Sequence, residues 1–298
     1  MNKTTFLGTP ETQCFVNWFA DIIGGLAPLD FKHKSGTYKY LDQALSSYAW
    51  PYKKTTIKTP AGTLVLHANA DFSTNKNVLD QLANGIQGSL NQAQPKSSEL
   101  ADWAQAIMTW GGVYTYAGKN RDKGNAGWLD GQRPTFTSYL QSSLAALRSE
   151  DGTTHCSLTD LRSNAGTTKV HSLLLPHFVI YDSRVAAALA WLVLSWSRQK
   201  STRIPDELKF GCMRANTGKN NPKQRTPDKS LFPYFVPSGK VKTHHTHATW
   251  NLRANWVLQG ALARLTPNNA QTNLSSREVE AALFMIGEDL THALPVSS

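Results

Sequence analysis

Asp182 stands where an apolar run, residues 178–181, meets a long apolar helical pattern at residues 185–196. A carboxylate at a helix N-terminus is favoured by the free amide groups and by the helix dipole. Held ionised there, it could stabilise positive charge developing on a substrate and orient a water for attack. It could equally do no more than cap the helix. Lys169 lies thirteen residues upstream, after the polar turn Asn164-Ala165-Gly166-Thr167-Thr168. A third candidate is the run Thr243-His244-His245-Thr246-His247. In a strand, His245 and His247 would share a face. No Cys or carboxylate lies close enough in sequence to complete a site, so no metal is expected. Cys14, Cys156 and Cys212 are far apart and form no C-x-x-C pair, so they read as reduced thiols. There is no G-x-S-x-G elbow and no G-x-x-x-x-G-K-[ST] phosphate loop.

Charge supplies the other chemical signal. The 298 residues carry 31 Lys+Arg against 21 Asp+Glu, a formal net charge of +10. Eight of the basic residues fall within 209–242, opposed only by Asp228, so this stretch nets +7. Its four prolines and three glycines read as a long loop. Residues 209–249 are therefore expected to form a basic loop insertion. Such a loop suits a polyanion, because counterions released from a phosphate backbone drive binding. A second basic, glycine-rich stretch, residues 118–133, follows Trp110, Tyr114 and Tyr116 and contains Trp128. Cations interleaved with aromatics suit stacking on bases beside a bound backbone. For Trp110 a place in the core competes with that role.

The elements that must hold these residues are mostly helical. Leu79, Leu82, Ile86 and Leu90 recur at helical spacing. So do Leu100, Trp103, Ile107 and Trp110, after a possible N-cap at Ser98. Residues 139–147 and 252–265 continue the pattern, and Ser275 to Glu278 form a capping box. One hairpin is expected over residues 55–67, where two β-rich runs flank Pro60-Ala61-Gly62. No run reaches the roughly 18–20 apolar residues of a membrane span. The N-terminus lacks the apolar core of a secretory signal. A cytoplasmic monomer without a membrane partner is expected.

Asp182-Ser183-Arg184-Val185, with its apolar approach and core helix, resembles the D-[ST]-[HR]-V segment of the helix-hairpin-helix DNA glycosylase superfamily. Ala165-Gly166-Thr167-Thr168-Lys169 falls where that superfamily carries its DNA-binding hairpin. The likeness covers about thirty residues. The usual L-P-G-x-G is replaced by Ser163-Asn164-Ala165-Gly166, and the helix before the aspartate is shorter. No four-cysteine cluster marks an iron–sulfur branch. In size, charge and divergent hairpin the chain is similar to bacterial anti-phage DNA glycosylases that remove glucosylated hydroxymethylcytosine.

The resemblance implies a mainly α, two-lobed helical unit spanning residues 1–298, with the active site between the lobes. It implies double-stranded DNA as partner, including phage DNA with modified bases, and no cofactor. Asp182 would be the catalytic carboxylate for N-glycosidic hydrolysis, leaving an abasic site. Gly166, Thr167, Thr168, Lys169, Arg162 and Arg184 would contact DNA, with Lys169 read as a phosphate contact before a Schiff-base nucleophile. Tyr181, Trp110, Tyr114, Asn125 and Trp128 would form the pocket for a flipped base. The rival expectations are a non-catalytic nucleic-acid-binding protein on the same scaffold, and a repair glycosylase for damaged bases.

Overall fold

Helical periodicity in the sequence becomes helix through most of the chain. The computed structural model describes residues 1–116, 124–215, 222–236, 240–266 and 270–294. The helices are α1 (Lys3–Gly8), α2 (Pro10–Ile23), α3 (Leu41–Ser46), α4 (Phe72–Leu90), α5 (Ser97–Trp110) and α6 (Asn125–Gln132). They continue with α7 (Phe136–Arg148), α8 (Thr167–Leu174), α9 (Ser183–Gln199), α10 (Val241–Leu262) and α11 (Ser276–Ile286). The expected hairpin is β3 (Thr55–Thr59) with β4 (Gly62–Leu66), closing where Thr59 faces Gly62. Two further pairs gave no pattern to read. They are β1 (Phe31–His33) with β2 (Gly36–Tyr38), antiparallel, and β5 (Cys212–Met213) with β6 (Tyr234–Phe235), parallel. Strands of two or three residues are too short for alternation to show.

α9 is apolar all round and sits at the centre, with Ala186, Ala187, Ala188, Ala190, Leu192 and Val193 fully buried. Its small residues admit close neighbours. At Gly287, just past α11, a Cβ would lie 1.7 Å from the Arg184 carbonyl oxygen. Packing contacts fall mainly into two sets. α9 packs with α2 and α11, α11 with α3, and α10 with α1 and α2. α5 packs with α4, α6, α7, α8 and β3. One core of buried apolar side chains runs through both sets. Among the described residues no helix is long and apolar enough to cross a membrane.

Several local expectations change. The capping box at Ser275 and Glu278 is present. Ser98 is not an N-cap: α5 starts at Ser97, whose hydroxyl bonds Thr137 instead. The basic insertion is not loop throughout, because residues 241–249 are the first turns of α10, and β5 and β6 interrupt the rest. Residues 216–221 and 237–239 of that insertion, and 118–123 of the second basic stretch, lie outside the described residues. The histidine run is helical rather than extended. His244 and His247, three apart on one face, both meet Ser163, while His245 bonds the Leu158 carbonyl. The cluster thereby docks α10 onto residues 158–163. Among the described residues no group of three His, Cys, Asp or Glu could hold a metal ion.

Candidate active site around Asp182

The chain approaches Asp182 through an extended segment with no sheet to satisfy its amides. Buried side chains do so instead: Val179 N donates to Asn255 Oδ1 and Ile180 N to Glu280 Oε2, both at 2.6 Å. This holds Asp182 at the N-terminus of α9, where Oδ1 accepts from Arg184 N at 2.9 Å and Val185 N at 3.2 Å. The cap reading is therefore fulfilled by one oxygen. The other, Oδ2, faces Lys169 Nζ at 3.4 Å. Burial would raise the Asp182 pKa. Lys169, Arg184 and the two amides outweigh it and hold the carboxyl below its usual range. Asp182 is thus an ionised carboxylate with one oxygen uncommitted to the cap.

Lys169 is 5 % exposed, with its ammonium between Asp182 and the Ala165 carbonyl. Gly111 makes room for it, since a Cβ there would lie 2.3 Å from Lys169 Cδ. Lys169, expected as a phosphate contact, is buried and ion-paired with Asp182 on the cavity wall. The turn before it also differs from an amide cradle. Asn164 Oδ1 accepts from Gly166 N and Thr167 N, and Thr168 N bonds the Asn164 carbonyl. Thr167 and Thr168 are buried. The amides of Gly166, Thr167 and Thr168 are consumed by the Asn164 side chain and the helix start, so these three do not form an open cradle for a phosphate.

Asp182 and Lys169 lie on the wall of a cavity of about 1080 Å³. It is walled by α4, α5 and α8 on one hand and by α9, α10 and α11 on the other. Trp50, Tyr52, Phe72, Trp110 and Phe284 give it an aromatic lining. Buried Asn75 fixes two of them, donating to the Trp50 carbonyl at 2.6 Å and accepting from Trp110 Nε1 at 3.2 Å. Arg184 stands over the Phe284 ring at 4.0 Å, and its Nη2 donates to the Tyr52 hydroxyl at 2.5 Å. Its Nη1 is buried and unpaired. Among the described lining residues, cations including Lys169, Arg184, Arg214, Arg225 and Lys240 outnumber the carboxylates Asp182 and Glu280. Such a lining attracts an anionic ligand and offers flat faces for an aromatic one.

Of the expected site residues, Asp182, Lys169, Arg162, Arg184, Trp110 and Asn125 meet at this cavity. Asn125 does not point free: it donates to the Val113 carbonyl and accepts from Arg162 Nε and Asn164 Nδ2. Tyr181, Tyr114 and Trp128 do not line it. Tyr181 is fully buried, with its hydroxyl on the Gly211 carbonyl. Trp128 packs between Tyr139 and the Arg162 guanidinium, and Tyr114 turns toward Asp130. Adjacency in sequence placed Tyr181 beside Asp182, but successive side chains in extended backbone point opposite ways.

Sequence reading missed Trp50, Tyr52, Phe284, Arg277 and Glu280. A signal existed on α11. Residues 277, 280, 281 and 284 follow helical spacing and form a second stripe beside the apolar one through Val279, Leu283 and Ile286. Nothing local marked the Trp50-Pro51-Tyr52 loop. Comparisons with protein-family models, curated proteins and solved structures return no match, so the functional reading rests on this site's chemistry.

Proposed function

We propose that this chain is a DNA N-glycosylase that turns a modified base out of duplex DNA and hydrolyses its bond to the sugar. The observation that carries the reading is the state of Asp182 on the wall of an aromatic, cationic cavity: held below the usual carboxylate range, capped through Oδ1, with Oδ2 facing Lys169. Loss of the base leaves positive charge on the sugar, and a fixed carboxylate stabilises it. Water then adds hydroxide to C1′ while its remaining proton goes to the departing base, leaving an abasic site. The excess of cations suits the phosphates on either side of the flipped nucleotide. In this reading the two packing sets are the two lobes of the helix-hairpin-helix type.

The cavity supports a bulky substrate. Its volume of about 1080 Å³ lies just above the roughly 300–1,000 Å³ typical of small-molecule sites. That leaves room beyond a bare base, and glucosylated hydroxymethylcytosine in phage DNA is the proposed substrate, with anti-phage defence the proposed role. The test is an abasic-site assay on unmodified, hydroxymethylated and glucosylated phage DNA, beside uracil-containing and alkylated duplexes. Asp182→Asn keeps the cap and removes the charge. Abasic sites on glucosylated DNA that vanish in the variant support the proposal. Activity on the damaged duplexes alone would mean a repair glycosylase. Tight DNA binding with no abasic sites on any substrate would mean a non-catalytic binding protein.

A second reading follows from Lys169 Nζ lying 3.4 Å from Asp182 Oδ2. Its amine could displace the base at C1′ and form an imine with the opened sugar, giving lyase activity. Borohydride would then trap a covalent protein–DNA complex that Lys169→Ala cannot form. Absence of any trapped species removes this version.

A further inference from the structure

Turning a nucleotide out of a duplex leaves a gap in the stack, and a protein stabilises the gap by inserting apolar side chains. The segment 231–236 carries side chains suited to this, and one of its residues, Phe235, lines the cavity. Phe232 and Phe235 are buried, and Phe235 lines the cavity while packing against His247 and Trp250 at 5.3 and 5.8 Å. The bond from Cys212 N to the Pro233 carbonyl and the β5–β6 pairing hold this backbone in place. Alternation along the extended chain then turns Tyr234 and Val236 outward, 47 % and 68 % exposed. Single exposed apolar residues are ordinary. Two that flank a phenylalanine lining the same cavity as the cations Arg214 and Lys240 form a patch with a use.

Among the described residues the other exposed aromatics, Tyr52 and Tyr116, are held by their hydroxyls. The Tyr52 hydroxyl is held between Arg184 and Glu288, and that of Tyr116 bonds Asp130. We propose that Tyr234 and Val236 are the wedge that enters the base stack of duplex DNA when a nucleotide occupies the cavity. This rests on the glycosylase reading, and it assigns the two residues to holding the duplex open, with no contact to the reacting atoms.

The test uses the full chain with both residues changed, Tyr234→Ser with Val236→Ser. Both side chains are exposed, so folding should survive, which circular dichroism checks. Abasic sites are counted on the same glucosylated phage DNA in native and heat-denatured form. The double variant should lose at least about tenfold on the duplex, because unstacking is then unassisted, and stay within about twofold on single strands. An equal loss on both forms, or no loss on the duplex, overturns the wedge. A second readout does not depend on bond cleavage. A duplex carrying 2-aminopurine beside one glucosylated hydroxymethylcytosine should brighten on binding wild type and stay dark with the double variant at saturation. Equal brightening, or none with wild type, also overturns the wedge. If wild type brightens this duplex selectively over the double variant yet releases no base from any DNA, the wedge stands and the glycosylase reading fails.

Discussion

Two cation-bearing regions of this protein are built on opposite plans. Between Asn164 and Trp196 charge is sparse and buried: Lys169 and Arg184 are each 5 % exposed, against a single carboxylate, Asp182. Between residues 209 and 242 charge is dense, and it is divided. Arg214, Lys229, Lys240 and Lys242 are exposed. Arg225 is buried against the Glu288 carbonyl and the Ser183 hydroxyl, and Lys223 pairs with Glu288. Part of what reads as a basic loop is thus a strap fastening the end of α11 to the start of α9. The density of charge along a sequence says where polyanions are attracted. The cost of burying it says where chemistry is prepared, because an interior charge persists only when every neighbour is arranged for it.

The largest effect expected from breaking this contrast is at Asp182. Asp182→Asn should lower base release by about 10²–10³-fold with helix α9 still capped, as abasic-site counting and thermal melting would show together. A comparable loss of activity from Lys209→Ala would reverse the assignment. Gly111→Ala comes next. The added Cβ displaces Lys169 from Asp182, at a stability cost of about 1–3 kcal/mol. Activity should fall further than that cost explains, measured well below the variant's melting temperature.

Glu288 tests the strap. Burial would raise its pKa, but hydrogen bonds from Lys223 and Tyr52 and the charge of Arg184 bring it from the ordinary 4.5 down to about 2. Its contribution is complete above pH 4.5 and is lost as the pH falls toward 2. Glu288→Gln should cost about 1.5–3 kcal/mol at neutral pH and flatten the decline of stability in that acid window, followed by denaturant melts at several pH values. A slope unchanged from wild type would remove Glu288 from the strap. The smallest effects belong to the cations outside the strap. Lys209→Ala breaks a surface pair with Asp206 and should change stability by less than about 1 kcal/mol. Lys242→Ala should lower the salt dependence of DNA binding by about one unit of slope, read from titrations at several ionic strengths.

Much of the scaffold was legible before folding. The 3.6-residue pattern marked α4, α5, α7, α9 and α11, and the capping box at Ser275 opened the last of them. The paired β-rich runs marked β3 and β4. These are local properties: each depends on neighbours within a turn or a hairpin. Asp182 was legible for the same reason, since a capping carboxylate before an apolar helix is a short-range pattern. The histidine run was misjudged because its three imidazoles are spent on distant partners, Ser163 and Leu158, which no local spacing reveals.

The composition of the cavity belongs to a different level. Trp50 and Tyr52 stand more than a hundred residues from Asp182, and Phe284 a hundred beyond it. Asn75 clamps Trp50 and Trp110 at one wall while Arg184 joins Tyr52 to Phe284 at another. Residue types and periodicity dictated which helices form and which face of each is apolar. Which side chains share a cavity followed from how those helices pack, because close packing of α9 against α11 at Gly287, and of Lys169 over Gly111, is a matter of shape between segments remote in the chain.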